Sequence, residues 1–262
     1  RMHPAELFGN HLEVRFPVGN RNDPPVLLLG HMDTVHRIGT IAKMPTRISQ
    51  GRLHGPGVLD MKAGIALALE ALDAMMRWQR GKLSRPVTVL MVSDEEVGSQ
   101  SSRAITERLA LEASAVLVLE PAAGLNGAVK TARKGVGEYT IRVSGKAAHS
   151  GLDFGNGHSA ILELAQQVLE LARMVDLKRG VTVNVGKISG GTRVNVVPAE
   201  ASASFDVRVA TQEDAHALHK RLVSLKPSNG HCQVTVSGAM NRPPMERGPG
   251  TASLFNKASA LA

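Results

Sequence analysis

Val87-Thr88-Val89-Leu90-Met91-Val92-Ser93-Asp94-Glu95-Glu96-Val97-Gly98 is a nearly unbroken apolar run that stops at three acids and a glycine. Apolar residues without alternation are the pattern of a strand buried on both faces, as in a parallel sheet. Two more such runs lie on either side, Val26–Leu29 and Ala115–Leu119. Between them, Met61 to Arg80 follows a helical pattern with Ile65, Leu67, Leu69, Leu72 and Met76 apolar. Ser101–Leu109 reads as a further helix, with Ser101 or Ser102 near its N-cap. Buried strands alternating with helices predict an α/β fold, an open and mostly parallel sheet with helices on both faces.

The pattern changes near Lys134. Gly137–Ser144 alternates like a half-exposed antiparallel strand. A helix over 159–174, strands over 181–188 and 200–209, a helix over 214–225 and a strand over 231–237 follow. The order β-α-β-β-α-β is the ferredoxin-like signature. The expected organisation is therefore residues 1–133 as the first part of an α/β domain, 134–242 as an inserted α+β domain, and 243–262 as the start of the returning first domain. Arg242-Pro243-Pro244 reads as the return linker, and a helix begins near Thr251.

Composition narrows the class. The chain has 262 residues, 43% hydrophobic and 3% aromatic, with a net charge of +8. The basic residues are scattered, and stacking aromatics are too few for a nucleic-acid surface. Diffuse positive charge suits anionic small substrates. Cys232 is the only cysteine, so no intrachain disulfide forms, and its place before Gln233-Val234-Thr235-Val236 reads as structural. No run of 18 apolar residues is present to span a membrane. A lone thiol fits a reducing compartment, so a cytoplasmic location is expected. Arg1 points to a natural start upstream, which leaves a periplasmic or secreted protein open.

Four clusters carry the chemistry. His31-Met32-Asp33 follows the first strand, where period two puts His31 and Asp33 on one side, a metal ligand with a partner for its ring. Asp60 sits in Gly55-Pro56-Gly57-Val58-Leu59-Asp60 at the entry to a helix, where a carboxylate either caps the helix or bridges cations. By itself, capping is the stronger reading. In Glu95-Glu96 adjacent side chains diverge, so one can face a metal and the other a substrate water. Glu120-Pro121 ends the third strand. Ligands in open α/β sheets gather outside the carboxyl ends of the strands, which is where His31, Glu95, Glu96 and Glu120 are expected.

Taken together, Leu28-Leu29-Gly30-His31-Met32-Asp33-Thr34-Val35, Gly55 through Gly64, Ser93 through Gly98 and Leu119-Glu120-Pro121 resemble the di-zinc metallopeptidase family. That family includes aminoacylases, acetylornithine deacetylase, succinyl-diaminopimelate desuccinylase and glutamate carboxypeptidases. Lys146-Ala147-Ala148-His149-Ser150-Gly151, Arg193 through Pro198 and Phe205-Asp206-Val207-Arg208 look most similar to the carboxypeptidase G type. The resemblance implies that His31, Asp60 and Glu120 hold one zinc, and that Asp60 and Glu96 hold a second. Cobalt or manganese are possible substitutes. It implies Glu95 as general base, Asp33 as the residue that orients His31, and a cis peptide after Asp60. It implies a homodimer through the inserted domain, with His149 reaching into the partner's site to steady an oxyanion, and Asn195, Arg208 and Arg242 contacting a substrate carboxylate. The expected activity is cleavage of the amide bond of an N-acyl amino acid or small peptide with a free carboxylate, including release of a C-terminal glutamate. A deacetylase or desuccinylase of a biosynthetic intermediate is the alternative. A catalytically incomplete homologue serving as a binding or dimerisation module is a third reading.

The chain departs from the family in two places. The second zinc of such enzymes takes a further histidine from the end of the catalytic domain, but the last of the ten histidines here is His231. A fragment lacking N- and C-terminal parts is the expected explanation, with weak binding of the second zinc. Ser159 stands where relatives often have Asn, and it can still cap the helix that follows.

Overall fold

The computed structural model describes residues 1–16, 18–78, 83–124 and 126–261. They form two compact units, Arg1–Gly127 and Ala128–Ala262.

The first unit contains β1 (Met2–His3), β2 (His11–Phe16), β3 (Val26–His31), α1 (Thr40–Lys43), β4 (Arg47–Ser49), β5 (Arg52–His54), α2 (Ala63–Trp78), β6 (Val87–Val92), α3 (Arg103–Glu112) and β7 (Ala115–Val118). Its sheet runs β1-β2-β6-β3-β7. The three strands legible as apolar runs, β3, β6 and β7, are parallel. β1 and β2 extend the sheet antiparallel, which makes it mixed. β2 escapes a periodicity reading because its pattern is inverted: His11 and Glu13 are buried, while Leu12 and Val14 are half-buried. Glu13 tolerates burial because His3 Nε2 lies 2.8 Å and Arg15 Nε 2.5 Å from its carboxylate. Burial alone would raise its pKa, but these partners outweigh it and hold the group below the usual carboxylate range.

Consecutive strand residues point to opposite faces, and the core divides accordingly. Leu28, Val87 and Val89 pack with Leu72 of α2 on one face. Leu27, Leu90 and Val92 pack with Leu109 of α3 on the other. Both faces are thus covered by helices, as expected. The first helical pattern was predicted to reach Arg80, which lies outside the described residues.

The second unit contains β8 (Gly135–Ser144), β9 (Ala148–His149), α4 (Ala160–Ala172), β10 (Thr182–Gly190), β11 (Val196–Val197), β12 (Glu200–Val209), α5 (Gln212–Val223), β13 (Gln233–Arg242) and α6 (Pro249–Leu261). The antiparallel order β10-β12-β8-β13 is the ferredoxin-like arrangement read from the sequence. Inward residues of β8 and β12 alternate strictly and meet α4 and α5. Tyr139 stacks on Phe205 with centroids 5.7 Å apart. Ser159 caps α4, its hydroxyl accepting from Leu162 N at 3.2 Å. Cys232 is buried in this core, which raises its thiol pKa; nearby Glu163 adds to the effect.

Candidate metal centre

Parallel pairing brings the carboxyl ends of β3, β6 and β7 side by side, and each delivers one cluster there. His31 is the last residue of β3. Glu95 and Glu96 start the single turn Glu95–Val97 just after β6. Glu120 lies two residues past β7. Asp60 comes from the irregular turn Val58–Lys62 that leads into α2, and its peptide bond to Met61 is cis. At the start of α2, Gly64 lets this turn approach the end of β7: a Cβ there would lie 2.0 Å from the carbonyl oxygen of Leu119.

His31 is 2% exposed. Its Nε2 lies 3.0 Å from Asp60 Oδ1 and 3.5 Å from Glu120 Oε1. Its Nδ1 lies 3.1 Å from the carbonyl oxygen of Asp33 and 3.3 Å from Asp33 Oδ1. The ring partner is therefore chiefly the Asp33 backbone, reached by the chain after the strand has ended and not by strand alternation. Asp33 Oδ2 accepts from Glu96 N at 2.9 Å, so one carboxylate ties the His31 strand to the glutamate turn. Asp60 turns its Oδ1 toward His31 Nε2, so it is more than a helix cap.

Two three-residue groups each place donor atoms within 4.8 Å of one another: His31, Asp60 and Glu96, and His31, Glu95 and Glu120. Both adjacent glutamates thus enter the cluster, in different groups. With Nδ1 donating to Asp33, the Nε2 lone pair would face carboxylate oxygens, a repulsive arrangement unless a proton or cation lies between. Burial lowers the imidazole pKa, but the Asp33 carbonyl and the charges of Asp33, Glu120 and Glu95 override it and raise the value. The same field favours a divalent cation, and one imidazole with several carboxylates is a nitrogen-and-oxygen donor set suited to one. The residues present therefore fit a metal. Both groups contain His31, whose Nε2 can serve only one ion.

Asp94, fully buried, does not join the cluster. Its Oδ2 accepts from Ser101 N (2.7 Å), Ser101 Oγ (2.8 Å) and Ser102 N (3.2 Å). Burial would raise its pKa, but these hydrogen bonds outweigh it and lower the value. The first turn of α3 is thus held by Asp94, and neither serine side chain caps the helix. Sequence reasoning missed this role, and missed His11 altogether.

The predicted substrate residues fall in the second unit. His149 opens a loop and is exposed; its Nδ1 accepts from Gly151 N (3.1 Å) and Leu152 N (3.2 Å), which leaves the ring proton on Nε2. Val196 pairs with His149, and the Asn195 carbonyl accepts from Ser150 N at 3.1 Å, so Asn195 adjoins His149. Arg208 and Arg242 both sit opposite Val136, on the two flanking strands. Arg208 Nε is bound to both oxygens of Asp206 at 2.9 and 3.2 Å. The ten residues of β12 span about 30 Å. Asn195 leads into one end of that strand and Arg208 lies near the other. Asn195 and Arg208 of one protomer thus lie toward opposite ends of the strand.

Residues 13–154 match peptidase family M28, and residues 131–226 match the M20 peptidase dimerisation domain. Carboxypeptidase G2 of Pseudomonas sp. (strain RS-16) is 31% identical over 245 residues, 93% of this chain and 59% of that protein. A probable carboxypeptidase of Aspergillus terreus is 33% identical over 229 residues, 79% of this chain and 50% of that protein. The chain thus spans between half and three-fifths of the length of these curated relatives. Among solved structures, the aminopeptidase PepT of Bacillus cereus superposes with a TM-score of 0.74 at 20% identity, over 96% of this chain and 68% of that one. The YXEP protein of Bacillus subtilis, described as a dinuclear metal-binding peptidase of the M20 family, gives 0.64 at 16% identity, over 100% of this chain and 69% of that one. At these identities the structures speak to the fold.

Proposed function

The chain belongs to the M20/carboxypeptidase-type metallopeptidases, and from that membership we propose that the whole protein is a zinc-dependent hydrolase of N-acyl amino acids or small peptides with a free carboxylate. The observation that carries the reading is the convergence of His31 with carboxylates from three other chain segments at the carboxyl ends of parallel strands. In this reading residues 1–133 are the first part of the catalytic domain, 134–242 form the lid, and 243–262 begin the returning segment. Carboxypeptidase G2 among the relatives favours release of a C-terminal amino acid such as glutamate over removal of an acetyl or succinyl group.

His31, Asp60 and Glu120 would hold one zinc, and Glu96 with Asp60 the other. Bound zinc would supply Lewis acidity and lower the pKa of a water. Glu95 takes the proton of the attacking water and later gives it to the leaving amine. Asp33 keeps the His31 ring oriented through its carbonyl, and aligns the glutamate turn through its carboxylate. His149 offers Nε2–H, the donor an oxyanion requires. Its adjacency to Asn195 supports the two acting together from the lid of the second copy in a homodimer, while Arg208 and Arg242 read the substrate carboxylate. That carboxylate must compete with Asp206 for Arg208.

The test is a hydrolysis screen of N-acyl amino acids and dipeptides with the full-length protein and added zinc, run beside Glu95→Gln. The variant should lose about 10²–10⁴-fold in kcat while holding zinc as the parent does, the usual contribution of a general base. Full turnover by Glu95→Gln, or loss of all zinc from it, would sink the assignment.

A further inference from the structure

Strand β2 carries a buried imidazole that nothing in the proposed chemistry uses. His11 is 1% exposed. β2 runs antiparallel to β6 with Leu12 opposite Met91, so His11 lies at the carboxyl end of β6, where the glutamate turn begins. Its Nδ1 accepts the backbone N–H of Ser93 at 3.2 Å, which places the ring proton on Nε2. Nε2 then donates to Ser101 Oγ at 3.0 Å. The Ser101 hydroxyl hydrogen in turn goes to Asp94 Oδ2 at 2.8 Å. The Ser93 hydroxyl is committed to the carbonyl of Gly9, so it does not compete for Nδ1. Every hydrogen in this chain has one destination, and all four residues are held in one direction.

We infer that His11 is a positioning residue for Glu95 and Glu96, acting through the one-way chain Ser93 N–H to His11, His11 to Ser101, and Ser101 to Asp94. Ser93 and Asp94 are the two residues immediately before the pair, and the Asp94 carbonyl also accepts from Ser99 N at 2.7 Å. The turn is therefore gripped at its start by backbone and side chain, and at its end by backbone. The position needs an acceptor on one edge and a donor on the other, fixed rigidly apart. A neutral imidazole supplies both, and an apolar strand residue supplies neither. The functional meaning rests on the proposed role of the glutamates; the mechanical claim does not.

The experiment is amide hydrogen exchange on the metal-free 262-residue chain, followed by zinc titration with a competing chelator. His11→Leu keeps the bulk without polarity, Ser101→Ala cuts the chain one link further on, and His11→Gln restores an N–H near the Nε2 position. Exchange at Gly98 and Ser99, whose amides are hydrogen-bonded within this turn, and at Glu96, whose amide donates to Asp33 Oδ2, should rise about tenfold in His11→Leu and Ser101→Ala, the factor a lost hydrogen bond represents. The β3 amides should stay protected, His11→Gln should recover most of the protection, and zinc affinity should fall in step with turn exchange. Unchanged turn amides in both variants would overturn the inference. So would an equal rise in β3, or a His11→Gln chain no better than His11→Leu. A parent chain that never binds zinc would sink the proposed function and leave the exchange result standing.

Discussion

Gly64→Ala sets two effects of known size against each other. Gly64 lies in the first turn of α2, where alanine is the better helix former by about 1 kcal/mol. On propensity alone the substitution stabilises the protein. The added Cβ, however, would lie 2.0 Å from the carbonyl oxygen of Leu119 and 3.1 Å from its carbonyl carbon. Ordinary contact begins near 3.4 Å, so helix and strand end must separate by about 1.4 Å. The obstruction is backbone, which cannot rotate away, so the cost belongs at the upper end of overpacking, about 3 kcal/mol. The net expectation is a loss of about 2 kcal/mol. For a unit of about 130 residues that lowers the melting temperature by roughly 7 °C. The displaced segment carries Glu120, whose Oε1 lies 3.5 Å from His31 Nε2. A shift of about an ångström there should weaken zinc binding at least tenfold. Calorimetry and chelator competition on the purified chain measure both quantities. A Gly64→Ala chain as stable as the parent and with the same zinc affinity would refute the reasoning.

Zinc stoichiometry on the 262-residue chain should show one tightly held ion and a second removed by dialysis, because the first has three protein ligands, His31, Asp60 and Glu120, and the second only Asp60 and Glu96; two ions of equal affinity would refute this. Glu163, 3% exposed, accepts from Gln167 Nε2 (2.7 Å), Ser228 N (3.0 Å) and Asn229 N (2.8 Å). Burial pushes its pKa up, but these bonds prevail and hold it below the usual carboxylate value. A depressed folded pKa contributes stability that is fully present above the unfolded value and lost as pH falls through the folded one. Glu163→Gln should therefore cost about 2 kcal/mol at neutral pH, with the gap closing in acid. A gap that is independent of pH would contradict it.

Much of the architecture was legible from one-residue patterns. The apolar runs at Val26–Leu29, Val87–Val92 and Ala115–Leu119 could be placed because a strand buried on both faces admits little else. The alternation in Gly137–Ser144 marked the second sheet for the same reason. β2 was not legible, since its buried residues are His11 and Glu13, which are acceptable inside only because His3, Arg15, Ser93 and Ser101 are there to meet them. That Asn195 and Arg208 lie toward opposite ends of β12 was not legible either, because a motif carries no strand length or register.

His31, Glu95, Glu96 and Glu120 stood out in the sequence as a histidine and acids at the ends of apolar runs, while Asp60, in a turn, entered only through the family resemblance. What the sequence by itself determined was therefore which side chains are available and at which end of the sheet. Tertiary structure decided how they meet: His31 with Asp60 across 29 positions, Asp33 with the glutamate turn across 63, and His11 with Ser101 across 90. Burial preference belongs to each residue separately and shows as periodicity. Hydrogen-bond direction, ligand sharing and backbone approach depend on pairs of segments, and those distances exist only once strand register and the close contact of Gly64 with Leu119 are set.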